Sequence, residues 1–237
     1  MTPKLLALAG IAALSVSHAP AALVQWQSEV ASGTAAAKTN FSAVTAPVLF
    51  DIGSLSGDRS LEFIVRADTS AFGLSAALIG TFNTTNGRQG LKAKQWEGDP
   101  NPNSHLGLTQ FGVLDHVSTV SMPSNVDVHL VFTSNGTDST QMYLNGALAA
   151  TFSAPLALTG IQGLGGVATA ENTLATVVDP LTGGSINGFA SYDAALSGDE
   201  IAAHYRAFAA PVPEPGALAL AALAGLAGMA RRSRRSA

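Results

Sequence analysis

Cysteine is absent from the 237 residues, so a disulfide-stapled scaffold, a thiol nucleophile and a thiolate metal site are all excluded, and the fold has to rest on its core. Charge is scarce as well, at 12% of residues against 47% hydrophobic ones. A disordered chain or a long coiled coil needs far more, and 24 Gly among many Ser, Thr and Val favour a β-rich body. Positive charge is rarest in the middle of the chain. Residues 22–212 hold 7 Lys or Arg against 15 Asp or Glu, a net of −8. No basic stripe exists there to follow a phosphate backbone, so nucleic acid is not expected as a partner. Aromatics are few, with 2 Trp and 3 Tyr, which leaves little material for a sugar-stacking platform.

The two ends are a different kind of sequence. Lys4 precedes an apolar to weakly polar run over residues 5–16, followed by small residues with Ala19 and Ala21 in an Ala-x-Ala arrangement. A helix over that run spans roughly 18 Å, short of a bilayer core, which predicts a secretory signal peptide over 1–21 cut near Ala21. At the other end Pro211, Pro213 and Pro215 stop any helix, residues 216–230 carry no charge, and Arg231, Arg232, Arg234 and Arg235 follow. As a helix the uncharged run is about 22 Å long, and the arginines would stay on the cytoplasmic side with the body outside.

The order Val212-Pro213-Glu214-Pro215, apolar helix, arginine cluster resembles the PEP-CTERM sorting signal of Gram-negative bacteria that make exopolysaccharide. The resemblance implies that an exosortase, a membrane transpeptidase-like protease, recognises the Pro-Glu-Pro triplet while the helix holds the chain in the membrane. The protein is then expected in the cell envelope, membrane-anchored before processing, and afterwards at the cell surface or outside. Its partners at that stage are the export machinery and the exosortase.

Between the ends, residues 22–210 are long enough for one domain that buries about 70% of its unfolded surface. Short strand-like runs recur between turn signals at 60–67, 72–82, 89–97, 105–111 and 116–121, with Glu62 and Arg66 on one face of the first. Residues 127–133, 140–144 and 147–152 form a three-stranded meander, its second turn made by Asn145-Gly146, which accept positive φ. One helix is predicted near the end, where Ser197 and Glu200 have capping-box spacing before Ile201, Tyr205 and Phe208. The expected fold is an all-β antiparallel sandwich with one short helix near the end, a signal helix before it and a membrane helix after it.

The meander with Met142-Tyr143-Leu144-Asn145-Gly146, followed by the strand ending in Tyr192 and by Leu196-Ser197-x-x-Glu200-Ile201, resembles the laminin-G-like, concanavalin A-like jelly-roll domains. In that family such a strand leads into a short helix that closes the sandwich. The resemblance implies binding or adhesion, with exopolysaccharide or a surface glycan as partner. Asn187 stands where members of that family often carry Asp, so no ion site is carried over.

No catalytic constellation accompanies this pattern. The alternating carboxylates of sandwich-fold glucanases are missing, Gly53-Ser54-Leu55-Ser56-Gly57 has Leu where a nucleophile elbow needs Ser, and no His-Glu-x-x-His occurs. The body is therefore expected not to be an enzyme, the alternatives being a polysaccharide-active enzyme and a passive matrix component. Asp127 and His129 share a strand face, expected to be solvated, and His204 is expected at the polar margin of the closing helix. Gln95 and Trp96 are the candidate ligand-binding pair, the other option for Trp96 being a half-buried place at the sandwich edge. Asp99, Asn101 and Asn103 are candidate Ca²⁺ ligands or a plain Pro/Asn turn; Ser104 and Gln110 replace the Gly and Glu of an EF-hand loop, and no other cofactor is expected. Gly163-x-Gly165-x-x-Ala168 matches a dinucleotide fingerprint by letters only and is expected to be a flexible loop.

Overall fold

Residues 59–67 set the layering of the molecule. Leu61, Phe63 and Val65 enter a core between two sheets, while Glu62 and Ile64 face the opposite side, because successive side chains of a strand alternate. Both faces are buried along most of this strand, which places it in mid-sheet. The computed structural model describes residues 21–33, 37–95 and 105–210. Its strands are β1 (Ala37–Asn40), β2 (Val48–Asp51), β3 (Arg59–Ala67), β4 (Ala76–Gly80), β5 (Gln89–Lys94), β6 (His105–Gln110), β7 (Leu114–Ser121), β8 (Asp127–Ser134), β9 (Thr140–Leu144), β10 (Ala147–Phe152), β11 (Ile161–Leu164) and β12 (Gly184–Tyr192). They pair antiparallel in two six-stranded sheets, ordered β1-β12-β3-β8-β9-β10 and β2-β11-β4-β5-β6-β7. The late strands β11 and β12 return to lie beside the early ones, giving the sandwich expected from the strand pattern with the jelly-roll arrangement that the resemblance implied.

The meander β8-β9-β10 forms as its turn chemistry dictates, with Asn145 and Gly146 at φ 51° and 78°. Helix α2 (Gly198–Ala209) starts with the expected capping box: the Ser197 hydroxyl accepts from the Glu200 amide, and the Glu200 carboxylate accepts from the Ser197 amide at 2.8 Å.

Several expectations need correction. A second helix, α1 (Ala21–Ser32), stands where the all-β body was expected to begin. Leu23, Trp26 and Val30 recur at helical spacing and are buried against Ile64, Val131, Ala190, Tyr192, Leu196 and Ile201, so α1 and α2 together cover the outer face of the first sheet. With no acid in its first turn and no base in its last, α1 gains nothing from the helix dipole, and tertiary docking holds it. The apolar run 72–82 is not one strand: Asp68 caps a 3₁₀ turn at Thr69–Ala71, and only Ala76–Gly80 extends. The 163–168 segment is no flexible loop either. Gly163 is laddered to both β2 and β4, and a Cβ on it would lie 2.6 Å from the Ala168 amide nitrogen, so glycine there serves close packing. The predicted signal and C-terminal helices lie outside the described residues, among which no helix is long and apolar enough to cross a membrane.

Trp26 rests on Gly188 of β12, where a Cβ would sit 2.4 Å from the indole ring. Gly188→Ala should therefore lift α1 and cost about 1–3 kcal/mol. Urea unfolding with tryptophan emission measures this, and unchanged stability with an unshifted emission maximum would refute the docking.

Candidate functional site

Among the described residues, chemistry concentrates in a side-chain cluster on the outer face of the first sheet and a cleft on that of the second. On the first sheet, Glu62 lies opposite Ala190 of β12 and Val131 of β8, which makes Tyr192 and His129 its diagonal neighbours on the same face. The helices complete the cluster with Trp26 from α1 and His204 from α2. Glu62 Oε1 accepts from Trp26 Nε1 and His129 Nε2, both at 2.6 Å, and Oε2 accepts from the Tyr192 hydroxyl at 2.6 Å and His204 Nδ1 at 3.0 Å. Burial alone would raise the Glu62 pKa, but the hydrogen bonds and charges of His129 and His204 hold it well below the usual carboxylate range. The Tyr192 hydroxyl is pushed far up by burial and by the Glu62 charge, so it stays a donor. Burial pulls His204 down, yet its bond to Glu62 and the charges of Glu62, Glu29 and Glu200 outweigh this and raise it.

Glu62 and His129 are completely buried, and His129 Nδ1 has no hydrogen-bond partner while the ring stacks on Tyr205 at 6.0 Å. A group without access cannot meet a substrate, so the cluster fastens both helices to the sheet. His204 was expected at a polar margin and is instead in this node, because its helix lies over Glu62. Asp127 and His129 do share a face, but only Asp127 is solvated, accepting from Asn187 at 3.0 Å and pairing with Arg66 at 3.5 Å; His129 is roofed by α2.

The second sheet carries an open cleft of about 230 Å³ on its outer face, lined by Ser75, Phe82, Lys92, Thr109, Phe111 and Asp115, with Gly112, Val178 and Asp179 at its sides. Lys92 and Thr109 point outward because Leu91, Ala93 and Leu108 fill the core. Gly163, Gly80 and Gly90 stand side by side across β11, β4 and β5, followed by Thr109 on β6 and Asp115 on β7. Glycine at position 90 lets Phe111 close over the sheet, where a Cβ would come within 3.0 Å of its ring. Phe82 and Phe111 then form a half-buried aromatic wall, with ring centroids 4.4 Å apart. Lys92 is nearly buried: its ammonium pairs with Asp179, donates to Ser75 Oγ at 3.1 Å and lies 5.2 Å from the Phe111 centroid. Burial lowers the Lys92 pKa, opposed by Asp179 and Asp115.

Gln95 adjoins this cleft but does not line it. Its side chain is buried over Gly107, accepting from the Thr109 hydroxyl at 3.0 Å and donating to the His116 carbonyl at 3.3 Å. Trp96, Asp99, Asn101 and Asn103 lie outside the described residues, as do Pro213, Glu214, Pro215 and the four terminal arginines. Among the described residues no three His, Asp or Glu side chains are grouped to hold a metal. The sequence reading missed the node and the cleft. Its one signal for the node was an acid inside the apolar run Leu61-Glu62-Phe63-Ile64-Val65; for the cleft, glycines at like positions of neighbouring strands have no sequence signature.

Residues 211–235 match the family model of the PEP-CTERM protein-sorting motif. The motif marks an exported, exosortase-sorted surface protein and leaves open what the body binds. No curated protein matches the chain significantly. Among solved structures, the chain is similar to the Ruminococcus gnavus IT-sialidase CBM40 at 18% identity and TM-score 0.48, covering 72% of this chain and 98% of that one. Domain 4 of AbnA, a GH43 extracellular arabinanase from Geobacillus stearothermophilus, is similar at 12% identity and TM-score 0.48, over 71% and 87% of the two chains. A SAP-like pentraxin from Limulus polyphemus is similar at 11% identity and TM-score 0.49, over 70% and 80%.

The node makes stability depend on pH in both directions. Glu62 has a folded pKa below its ordinary 4.5, so its contribution is present above that value and is lost as pH falls below it. His204 has a folded pKa above its ordinary 6.5, so its contribution is complete below that value and fades as pH rises through the raised one. Stability should peak between these values. Glu62→Gln should flatten the profile and cost about 3–5 kcal/mol, because a buried charge loses its partner; denaturant midpoints across the pH range check both.

Proposed function

We propose that the body is a non-catalytic, surface-displayed binding domain whose cleft on the second sheet takes a sugar ring. The observation that carries this is the Phe82–Phe111 wall beside a hydroxyl and a carboxylate in one open cleft. An aromatic face packs against the C–H face of a sugar while polar groups take its hydroxyls. The volume is below the roughly 300–1,000 Å³ of drug-sized pockets, which suits a single ring of a longer chain lying across the sheet. Exposed Val117, on the same face of β7 as Asp115, extends the apolar surface beside it.

Binding rather than turnover is supported by the state of the carboxylates. Glycoside hydrolysis needs two carboxyls across one bond, one of them a proton donor with a raised pKa. In this cleft Asp179 is committed to Lys92, and the carboxylates that shift, Asp51, Glu62, Asp68 and Glu200, all move downward. Sorting precedes display: an exosortase recognises Pro213, Glu214 and Pro215, with the apolar run and Arg231, Arg232, Arg234 and Arg235 holding the chain at the membrane until then. Ca²⁺ assistance through Asp99, Asn101 and Asn103 is a companion proposal.

A glycan array probed with and without chelator tests the binding role. We expect binding, reduced about tenfold by Phe111→Ala, and lowered by chelator if the Asp99 loop takes part. Failure to bind any glycan would leave the passive matrix role, whereas release of reducing ends would establish an enzyme. Sorting is checked separately by replacing Pro213, Glu214 and Pro215 with Ala, which should leave the unprocessed chain in the membrane fraction; normal processing of that variant would overturn it.

A further inference from the structure

We infer that the cleft selects uncharged or amino sugars and rejects sugars bearing a carboxylate or sulfate, an inference that rests on the cleft being the glycan site. Among the side chains that line it, the polar groups left for a ligand are acceptors. Thr109 commits its hydroxyl proton to Gln95, so it offers a lone pair, and Asp115 is an exposed carboxylate. Ser75 accepts from Lys92 and donates to the Lys94 carbonyl at 3.2 Å, so it is spent.

The cation of the cleft is spent too. The Lys92 side chain is only 3% exposed and is paired with Asp179, itself 15% exposed. To reach Lys92, an anionic sugar would have to displace Asp179 and leave that carboxylate desolvated without a partner, a costly exchange. Lys92, Asp115 and Asp179 in the cleft sum to a net negative charge, which Arg88 at the rim, its guanidinium 3.3 Å from the Cβ position of Gly112, cancels. Arg88 and Asp115 are both exposed and alike screened by water, so hydrogen-bond complementarity and not net charge sets the preference. Hydroxyl and ammonium groups bring the donors that Asp115 and Thr109 lack, whereas carboxylates and sulfates bring acceptors against acceptors.

The test uses an array of neutral, amino and acidic glycans, followed by a matched pair: the neutral polysaccharide that binds best and the same polymer oxidised at C6 to the uronate. Wild type should bind the oxidised form at least tenfold more weakly. Asp115→Lys should reverse the order, and Asp138→Lys, the same charge change on the exposed turn between β8 and β9, should not. Binding of acidic glycans as well as or better than neutral ones would overturn the selectivity while leaving the glycan site standing. Equal effects of the two lysine variants would trace the preference to the net charge of the body and overturn it as well. No binding to any glycan would overturn both the selectivity and the site.

Discussion

A carboxylate buried without water has to be surrounded by donors, and the outer face of the first sheet is organised by that requirement. Glu62 draws one donor from each of its two flanking strands, β8 and β12, and one from each helix. None of the four elements could move away without leaving part of the charge unsatisfied. Apolar burial under α1 and α2 would tolerate sliding; directional bonds to Trp26, His129, Tyr192 and His204 fix where the helices sit.

This commitment divides the labour between the two sheets. The first sheet is closed by helices, so most of its outer face is a second core, with Tyr192 and His204 reaching a hollow of about 220 Å³ between α1 and α2. Among the described residues no helix covers the second sheet. Its outer face is shaped instead by glycines that let Phe111 and the 163–168 segment lie close to the backbone, leaving an aromatic wall and a few polar groups in an open cleft. The helix-clamped face and the face proposed for recognition thus lie on opposite sides of one sandwich.

The node also governs how the body meets its ends. Helix α2 closes at Ala209, and the sorting motif begins at residue 211, so the element carrying His204 leads directly into the segment an exosortase would read. Anchoring of that helix needs β3, β8 and β12 in place, and β12 is the last strand to be made. The chain before the motif is therefore tied to the sandwich through β3, β8 and β12.

Much of this was legible in one dimension. The PEP-CTERM motif, the acidic body between basic ends, the β8-β9-β10 meander and the Ser197/Glu200 cap all follow from local chemistry: proline, charge, Asn-Gly turns and capping spacing act within a few residues. The strands β1, β2 and β11, four residues each, are too short to show a period. Helix α1 depends on a tryptophan meeting Gly188 far along the chain. Whether His129, His204 and Glu62 are solvated or buried, and whether Gln95 lines a site or braces one, depends on which distant residues cover them. Sequence by itself determined the sorting motif, the strand-rich class and the lack of catalytic motifs, because these are properties of short segments. Tertiary structure alone decided the helix-clamping carboxylate and the cleft, because burial and hydrogen-bond partners such as Glu62 and His204, 142 positions apart, arise only when strands and helices pack.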